Sequence, residues 1–93
     1  MKKEQDALGW IKEFANSHLP IIAVYKGNLE SNNSFIFLIK EKYNSKLENE
    51  LTKLDLKIAQ NTDYRCSLFI FPTSSGKSSN YEFLERLVWQ RQN

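Results

Sequence analysis

The stretch Ser34-Phe-Ile-Phe-Leu-Ile39 decides which fold this sequence can adopt. Its five consecutive apolar residues do not alternate with polar ones, so in an extended conformation they point to both faces of a sheet. Strands of this kind are typical of the centre of a sheet that is covered on both faces. The stretch therefore predicts a central strand, buried on both sides, around which the other elements are arranged.

Two elements are predicted before this strand. Residues Lys3 to Ser17 place apolar side chains at helical spacing, and the helix must end before Pro20 because the residue preceding a proline is disfavoured in the α region. Ile21 to Tyr25 is rich in β-branched and aromatic residues and predicts a strand. The polar loop that follows contains Gly27-Asn28 and Asn32-Asn33, either of which can supply the positive φ of a tight turn, so we expect the two strands to form a hairpin.

Three elements are predicted after it. Ser45-Lys-Leu-Glu48 has the S-x-x-E pattern of a helix capping box, and an apolar stripe continues from it to Ala59. A helix of about sixteen residues is long enough to return the chain for a parallel third strand, which we place at Arg65 to Phe71. Ser79-Asn-Tyr-Glu82 repeats the capping pattern, and the apolar residues after it predict a last helix carrying Phe83, Leu84, Leu87 and Val88.

The predicted order is α-β-β-α-β-α in a single domain, residues 1–93. The predicted fold class is α+β, with a small three-stranded mixed sheet packed with three helices. In element order the chain resembles minimal nucleotidyltransferase domains. However, Gly27-Asn28 stands where those domains carry Gly-Ser, and Phe35-Ile-Phe37 stands where they need two aspartates. The resemblance therefore implies at most a catalytically empty relative, without the carboxylates that two-metal catalysis requires.

Composition limits the classes of function. The 13 basic and 11 acidic residues give a formal net charge of +2, too small to indicate nucleic acid or an anionic membrane by itself. No stretch has the length and apolar character of a membrane span or a signal peptide. The single cysteine fits a reducing compartment. We expect a cytoplasmic protein that does not interact with membranes.

Nothing in the sequence forms a recognisable catalytic constellation. His18 and Cys66 are the only residues of their types, and a structural zinc site needs four Cys or His ligands. A cysteine in an apolar strand is more often a small core residue than a nucleophile. The acidic residues are interspersed with lysines, as on a solvated helix face. We therefore predict no catalytic residue, no metal site and no cofactor, and expect that the chain is not an enzyme.

The loop after the third strand contains Gly76-Lys77-Ser78, within the sequence FIFPTSSGKSSN of residues 69–80. It matches the second half of the phosphate-binding loop G-x-x-x-x-G-K-[ST], but Phe71 occupies the position of the first glycine. A weaker anion site remains at the predicted helix N-terminus, where free N–H groups attract anions. Its candidate residues are Lys77, Ser78, Ser79 and Asn80. The favoured interpretation is a turn in which Ser79 caps its own helix.

Aromatic residues account for 13% of the chain, more than a core of this size easily encloses. Tryptophan, tyrosine and arginine are favoured at protein interfaces. The candidate partner-binding residues are therefore Trp10 and, on the predicted last helix, Tyr81, Arg86 and Trp89. The alternative is that the tryptophans close the edges of the core.

The leading hypothesis is a small protein-interaction domain with an adaptor, inhibitor or regulatory role. Its partner is another protein or a second copy of the chain. The rival hypothesis is a module that binds nucleic acid or a phosphorylated ligand through residues 73–80, assisted by Lys26, Lys42 and neighbouring aromatics. Salt dependence separates the two, because only phosphate contacts release counterions.

Overall fold

A computed structural model of the chain describes residues 3–28, 33–40, 45–72 and 84–92. Within these residues the element order is α-β-β-α-β-β. The helices are α1 (Lys3–Ser17) and α2 (Ser45–Asn61), and the strands are β1 (Ile21–Gly27), β2 (Ser34–Ile39), β3 (Ser67–Pro72) and β4 (Leu84–Gln90). The strands form one four-stranded mixed sheet in the order β3-β2-β1-β4. The protein is therefore α+β, as predicted.

The central strand predicted from the sequence is confirmed. All six residues of β2 are buried, and the strand is paired on both sides, antiparallel to β1 and parallel to β3. Phe35 and Phe37 belong to one buried cluster, and Ile36 and Leu38 belong to another. Because successive side chains of a strand point to opposite faces, β2 contributes to a buried cluster on each face of the sheet.

The two helices cover one face of the sheet, called here the helix face. Along it α1 packs on β1 and β4, and α2 packs on β3. The helices contribute a buried apolar stripe each, comprising Ala7, Ile11 and Ala15 of α1 and Leu47, Leu51, Leu54 and Ile58 of α2. On the opposite face, the described members of the second cluster all come from strands. The hydrophobic core therefore lies mainly between the helices and the sheet.

The crossover from β2 to β3 also agrees with the sequence. β3 is parallel to β2, in a register that runs from Ser34↔Ser67 to Ile39↔Pro72. The end of α2 is fixed by Thr62, whose hydroxyl donates to the carbonyl of Ile58 at 2.8 Å and accepts from the amide of Tyr64 at 3.1 Å. These bonds compete with continuation of the helix, so the chain turns there and enters β3.

The predicted last helix is wrong. Leu84–Gln90 is a strand that pairs antiparallel with β1, so the described chain has two helices and four strands instead of three of each. Its register shifts twice, between Val24 and Tyr25 and between Lys26 and Gly27. These bulges interrupt the two-residue alternation, so that consecutive residues, Val88 and Trp89, both pack toward the helix face. The spacing of the apolar residues in this segment therefore resembled that of a helix. The capping pattern at 79–82 lies outside the described residues.

Arg91, directly after β4, ties the C-terminal strand to the corner between α1 and β1. Its guanidinium donates to the carbonyls of Ala15 at 2.8 Å and His18 at 3.1 Å, and its Nε donates to the carbonyl of Ile21 at 3.0 Å. Carbonyls in the last turn of a helix have no partner within the helix. A cation there also interacts favourably with the helix dipole. Arg91 therefore completes α1 from a distant part of the sequence.

We expect Arg91→Met to lower the free energy of unfolding by about 2–3 kcal/mol, because hydrogen bonds from a charged donor to partly buried carbonyls are lost. Arg86→Met, at an exposed position of β4, is the matched control and should change the stability little. Urea unfolding followed by circular dichroism measures both. Equal losses in the two variants would show that the carbonyl contacts of Arg91 contribute nothing particular.

A second prediction concerns the face of the sheet away from the helices. Ile36 is fully buried there, whereas Ile22 on the same face is only partly buried. Ile36→Val should cost about 1 kcal/mol of unfolding free energy, the usual loss for one buried methyl group. Ile22→Val should cost less in the same urea titration. A smaller loss at Ile36 than at Ile22 would contradict the burial of this face.

Candidate functional site

A groove of about 360 Å³ lies between the two helices and is called here the interhelical groove. It is lined on one side by Trp10, Glu13, Phe14, Ser17 and His18, from α1 and the turn after it, and on the other by Glu50, Lys53, Leu54 and Lys57 of α2. Residues three or four positions apart lie on the same face of a helix. The helical spacing of these residues therefore aligns each set along one side of its helix.

The floor of the groove is aromatic and is fixed by the core beneath it. Trp10 and Phe14 are partly buried and pack against the cluster on the helix face. The ring of Phe14 meets that of Phe37 edge to face, with centroids 5.8 Å apart. The ammonium group of Lys57 lies 4.7 Å from the centroid of the Trp10 ring, which is within the range of a cation–π interaction. The aromatic surface is thus held in place before any partner binds.

His18 closes one end of the groove. Its ring stacks on Phe14 with centroids 4.1 Å apart, and its Nδ1 lies 2.7 Å from the carbonyl oxygen of Phe14. A carbonyl oxygen can only accept, so Nδ1 carries the proton of this hydrogen bond. In the neutral imidazole, Nε2 is then the acceptor nitrogen. The end of the groove can therefore accept a hydrogen bond from a ligand.

His18 and Cys66 are not brought together. The strand that follows His18 begins at Ile21, which pairs with Ile39 at the end of β2. β3, which follows Cys66, begins at Ser67 and pairs with Ser34 at the start of β2. Ser34 and Ile39 are five positions apart along β2, which corresponds to about 16 Å of strand. A nucleophile–base pair of Cys66 and His18 is therefore not formed.

The thiol of Cys66 is also unsuited to nucleophilic chemistry. Burial, and secondly the negative charge of Asp55, raise the pKa of Cys66 to about 11. The thiolate is the reactive form of a cysteine, and it is scarce at neutral pH when the pKa is raised in this way. Cys66 packs against the cluster on the helix face, which agrees with its interpretation as a small core residue.

The rim of the interhelical groove carries charges of both signs. Glu13 and Glu50 are acidic, and Lys53 and Lys57 are basic. Lys53 donates to Glu50 at 3.2 Å in an exposed pair, which contributes little to stability in water. Within the described ranges, no group of three His, Cys, Asp or Glu side chains is placed to hold a metal ion. The groove therefore combines an aromatic floor with charged groups of both signs.

The predicted partner-binding residues do not share one surface. Trp10 lies in the interhelical groove, on the side of α1 that faces α2. Trp89 lies on β4, partly buried against the core, with the Arg91 guanidinium carbon 5.0 Å from its ring centroid. Arg86 is exposed on β4, directly across from Lys26. Tyr81 lies outside the described residues, as do the anion-site candidates Lys77, Ser78, Ser79 and Asn80.

Sequence reasoning missed most of the groove. Phe14 lies in the last turn of α1 and His18 directly after the helix, four residues further on, so their adjacency was available from helical spacing. The α2 side was not, because Glu50, Lys53 and Lys57 give only the ordinary pattern of a solvated helix face. Only the packing of one helix beside the other brings the aromatic and charged residues together.

A scan against protein-family models gives no match, and searches of curated proteins and of solved structures also give none. Across the part of the chain that the structure describes, no helix combines the length and apolar character needed to cross a membrane.

The raised pKa of Cys66 leads to a testable pH dependence. Between the ordinary thiol pKa near 9 and about 11, the unfolded chain releases a proton that the folded chain keeps. Stability should therefore fall as the pH rises through this window. Modification of Cys66 by a thiol reagent should likewise have its midpoint at a higher pH in the folded protein than in urea.

Asp55→Asn should lower the pH midpoint of this modification, because one cause of the raised pKa is removed. Asp6→Asn, an exposed change on α1, is the matched control and should leave the midpoint where it is. A folded-state midpoint equal to that in urea would contradict the burial of the thiol.

Proposed function

We propose that the protein is a small interaction domain in which the interhelical groove receives an apolar side chain of a partner protein. The observation that carries this proposal is the aromatic floor formed by Trp10 and Phe14, which stays partly accessible between the helices. Interfaces concentrate their binding energy in a few pockets of this kind, filled by an anchor residue and surrounded by a polar rim. An adaptor, inhibitor or regulatory role is compatible with such a site.

The rim supports a protein partner more than a phosphorylated one. Lys53 lies within a salt bridge to Glu50, and Lys57 lies over Trp10. Glu13 and Glu50 add negative charge that repels phosphate groups. Charges of both signs favour a partner with a mixed-charge surface, which they orient, while the aromatic floor supplies affinity.

One observation favours the rival function, the binding of nucleic acid or a phosphorylated ligand. Lys26 of β1 and Arg86 of β4 are cross-strand partners, so two basic residues are neighbours on the sheet. Neighbouring basic side chains attract phosphate groups electrostatically. This pair lies on the sheet and not in the interhelical groove, so the two functions can be tested separately.

The groove is best tested by filling it. Ser17 is exposed on its wall, so Ser17→Arg places a large side chain in the groove without removing any core residue. Asn16→Arg adds the same side chain to the neighbouring exposed position, which does not line the groove. Tagged wild-type protein and both variants are used to capture partners from native extract treated with nuclease, and captured proteins are quantified by mass spectrometry. Sedimentation of the purified protein follows self-association.

We expect Ser17→Arg to weaken capture of a specific protein, or self-association, at least about tenfold, equivalent to 1.4 kcal/mol. Asn16→Arg should behave as wild type. Equal capture by both variants contradicts the placement of the interface in the groove. Binding that disappears with nuclease, or that falls steeply with salt and in the Arg86→Met variant, would support the rival function at Lys26 and Arg86 instead.

A further inference from the structure

We propose that the outer edge of β3, together with the acidic groove beside it, binds an extended lysine- or arginine-rich segment of another protein as an added strand. This surface lies on the far side of α2 from the interhelical groove, so the inference goes beyond the proposed function and does not depend on it. Three observations carry it: the direction of the β3 backbone groups, the apolar groove along the strand, and the charge of its wall.

The backbone of β3 is paired on one side. Among the described strands, β3 is the first in the sheet order and pairs with β2 alone. The amide of Ser67 donates to the carbonyl of Asn33 at 3.0 Å, which fixes the phase of this parallel ladder. Alternate residues of a strand direct their N–H and C=O groups to the same side. Ser67 and Phe69 therefore bond toward β2, and the backbone groups of Leu68 and Ile70 point to the outer edge.

A groove of about 310 Å³ runs along this edge, between β3 and α2. Leu68, Phe69 and Ile70 form its strand side, and all three are partly buried. The helix side consists of Glu48, Asn49, Leu51, Thr52 and Asp55. An incoming strand would therefore find edge groups that no other described strand pairs with, beside apolar surface. Recognition by strand addition uses these two features.

Both charged residues of this groove are acidic, although the chain as a whole carries a net charge of +2. Glu48 and Asp55 are seven residues apart on α2, which is two helical turns and about 10.5 Å along the axis. Thr52 lies between them, and its hydroxyl donates to the carbonyl of Glu48 at 3.1 Å. The helix side of this groove is thus a polar stripe that carries a negative charge at each of two positions, two helical turns apart along α2.

The spacing of an added strand matches this wall. Every second side chain of such a strand would lie on the helix face, next to Leu68 and Ile70, and under the acidic stripe. Side chains two residues apart in a strand are separated by about 6.6 Å, and those four apart by about 13 Å. The distance of about 10.5 Å between Glu48 and Asp55 along the helix axis lies between these two values. Lysine or arginine side chains at such positions are long enough to reach both carboxylates, and their apolar stems can cover the apolar part of the groove.

Charge also decides between a partner protein and a second copy of the chain. Pairing of two β3 strands across a dimer axis would place Ser67–Pro72 against itself, and that strand contains no basic residue. It offers nothing to the carboxylates of the wall. A foreign segment that alternates apolar or β-branched residues with lysine or arginine is complementary to the backbone edge in hydrogen bonding and to the acidic stripe in charge.

The proposal is tested with a synthetic peptide that alternates valine and lysine, titrated into the ¹⁵N-labelled protein. We expect saturable shifts of the Leu68 and Ile70 amides. The matched peptide with glutamate in place of lysine should bind at least about tenfold more weakly, because it meets like charge along the wall. Asp55→Asn should weaken binding of the lysine peptide about two- to fivefold, the usual range for an exposed ion pair. Asp6→Asn on α1 should leave it unchanged.

Backbone pairing is tested separately from charge by N-methylating alternate amides of the lysine peptide. Two isomers exist, methylated on one or the other set of amides, and only the set that faces β3 should abolish binding. The proposal is overturned if both isomers bind as the parent does, if the lysine and glutamate peptides bind equally, or if shifts map to the interhelical groove. Concentration-dependent shifts of the Leu68 and Ile70 amides without peptide would identify a second copy as the occupant and would also overturn it.

Discussion

The burial of β2 on both faces is the constraint on which the rest of the structure depends. A strand with apolar side chains on both sides has no face to expose, so it needs a neighbour on each edge and a layer over each face. The hairpin supplies β1 and the crossover supplies β3. The amphipathic stripes of α1 and α2 then close the helix face over Phe35, Phe37 and Ile39. Each of these elements is positioned relative to that one strand.

The position of the helices in turn creates both grooves. Because α1 lies over β1 and β4 while α2 lies over β3, one groove remains between the helices and another between α2 and β3. The first groove has an aromatic floor and charges of both signs. The second has a strand edge and acidic residues. The chain therefore presents two surfaces of different chemistry on the two sides of one helix.

The parts of the fold that local pattern controls were predictable. Both helices agree with their predicted ranges, and β2 and the parallel return to β3 follow from an apolar run and a crossover length. The last element was not predictable, because two bulges in β4 hide the alternation of its side chains. Its strand conformation depends on pairing with β1, which lies far away in the sequence. Arg91 carries no sequence signal, since its partners are backbone carbonyls. Of the candidate site, Trp10 was found from its residue type, whereas the opposing wall depends on how two helices pack.

The bond between Arg91 and Ala15 joins residues 76 positions apart, and β4 pairs with the first strand rather than with its neighbour in sequence. The contacts of this outer strand therefore join residues far apart in sequence, which is a high contact order. Such contacts slow folding, because the entropy of closing a long loop is lost before the contacts form. During synthesis on the ribosome, β1 and the end of α1 are made well before β4 and Arg91. Until β4 emerges, the edge of β1 that it pairs with stays open and α1 lacks the cap that Arg91 supplies, so a later part of the chain completes a helix that was made much earlier.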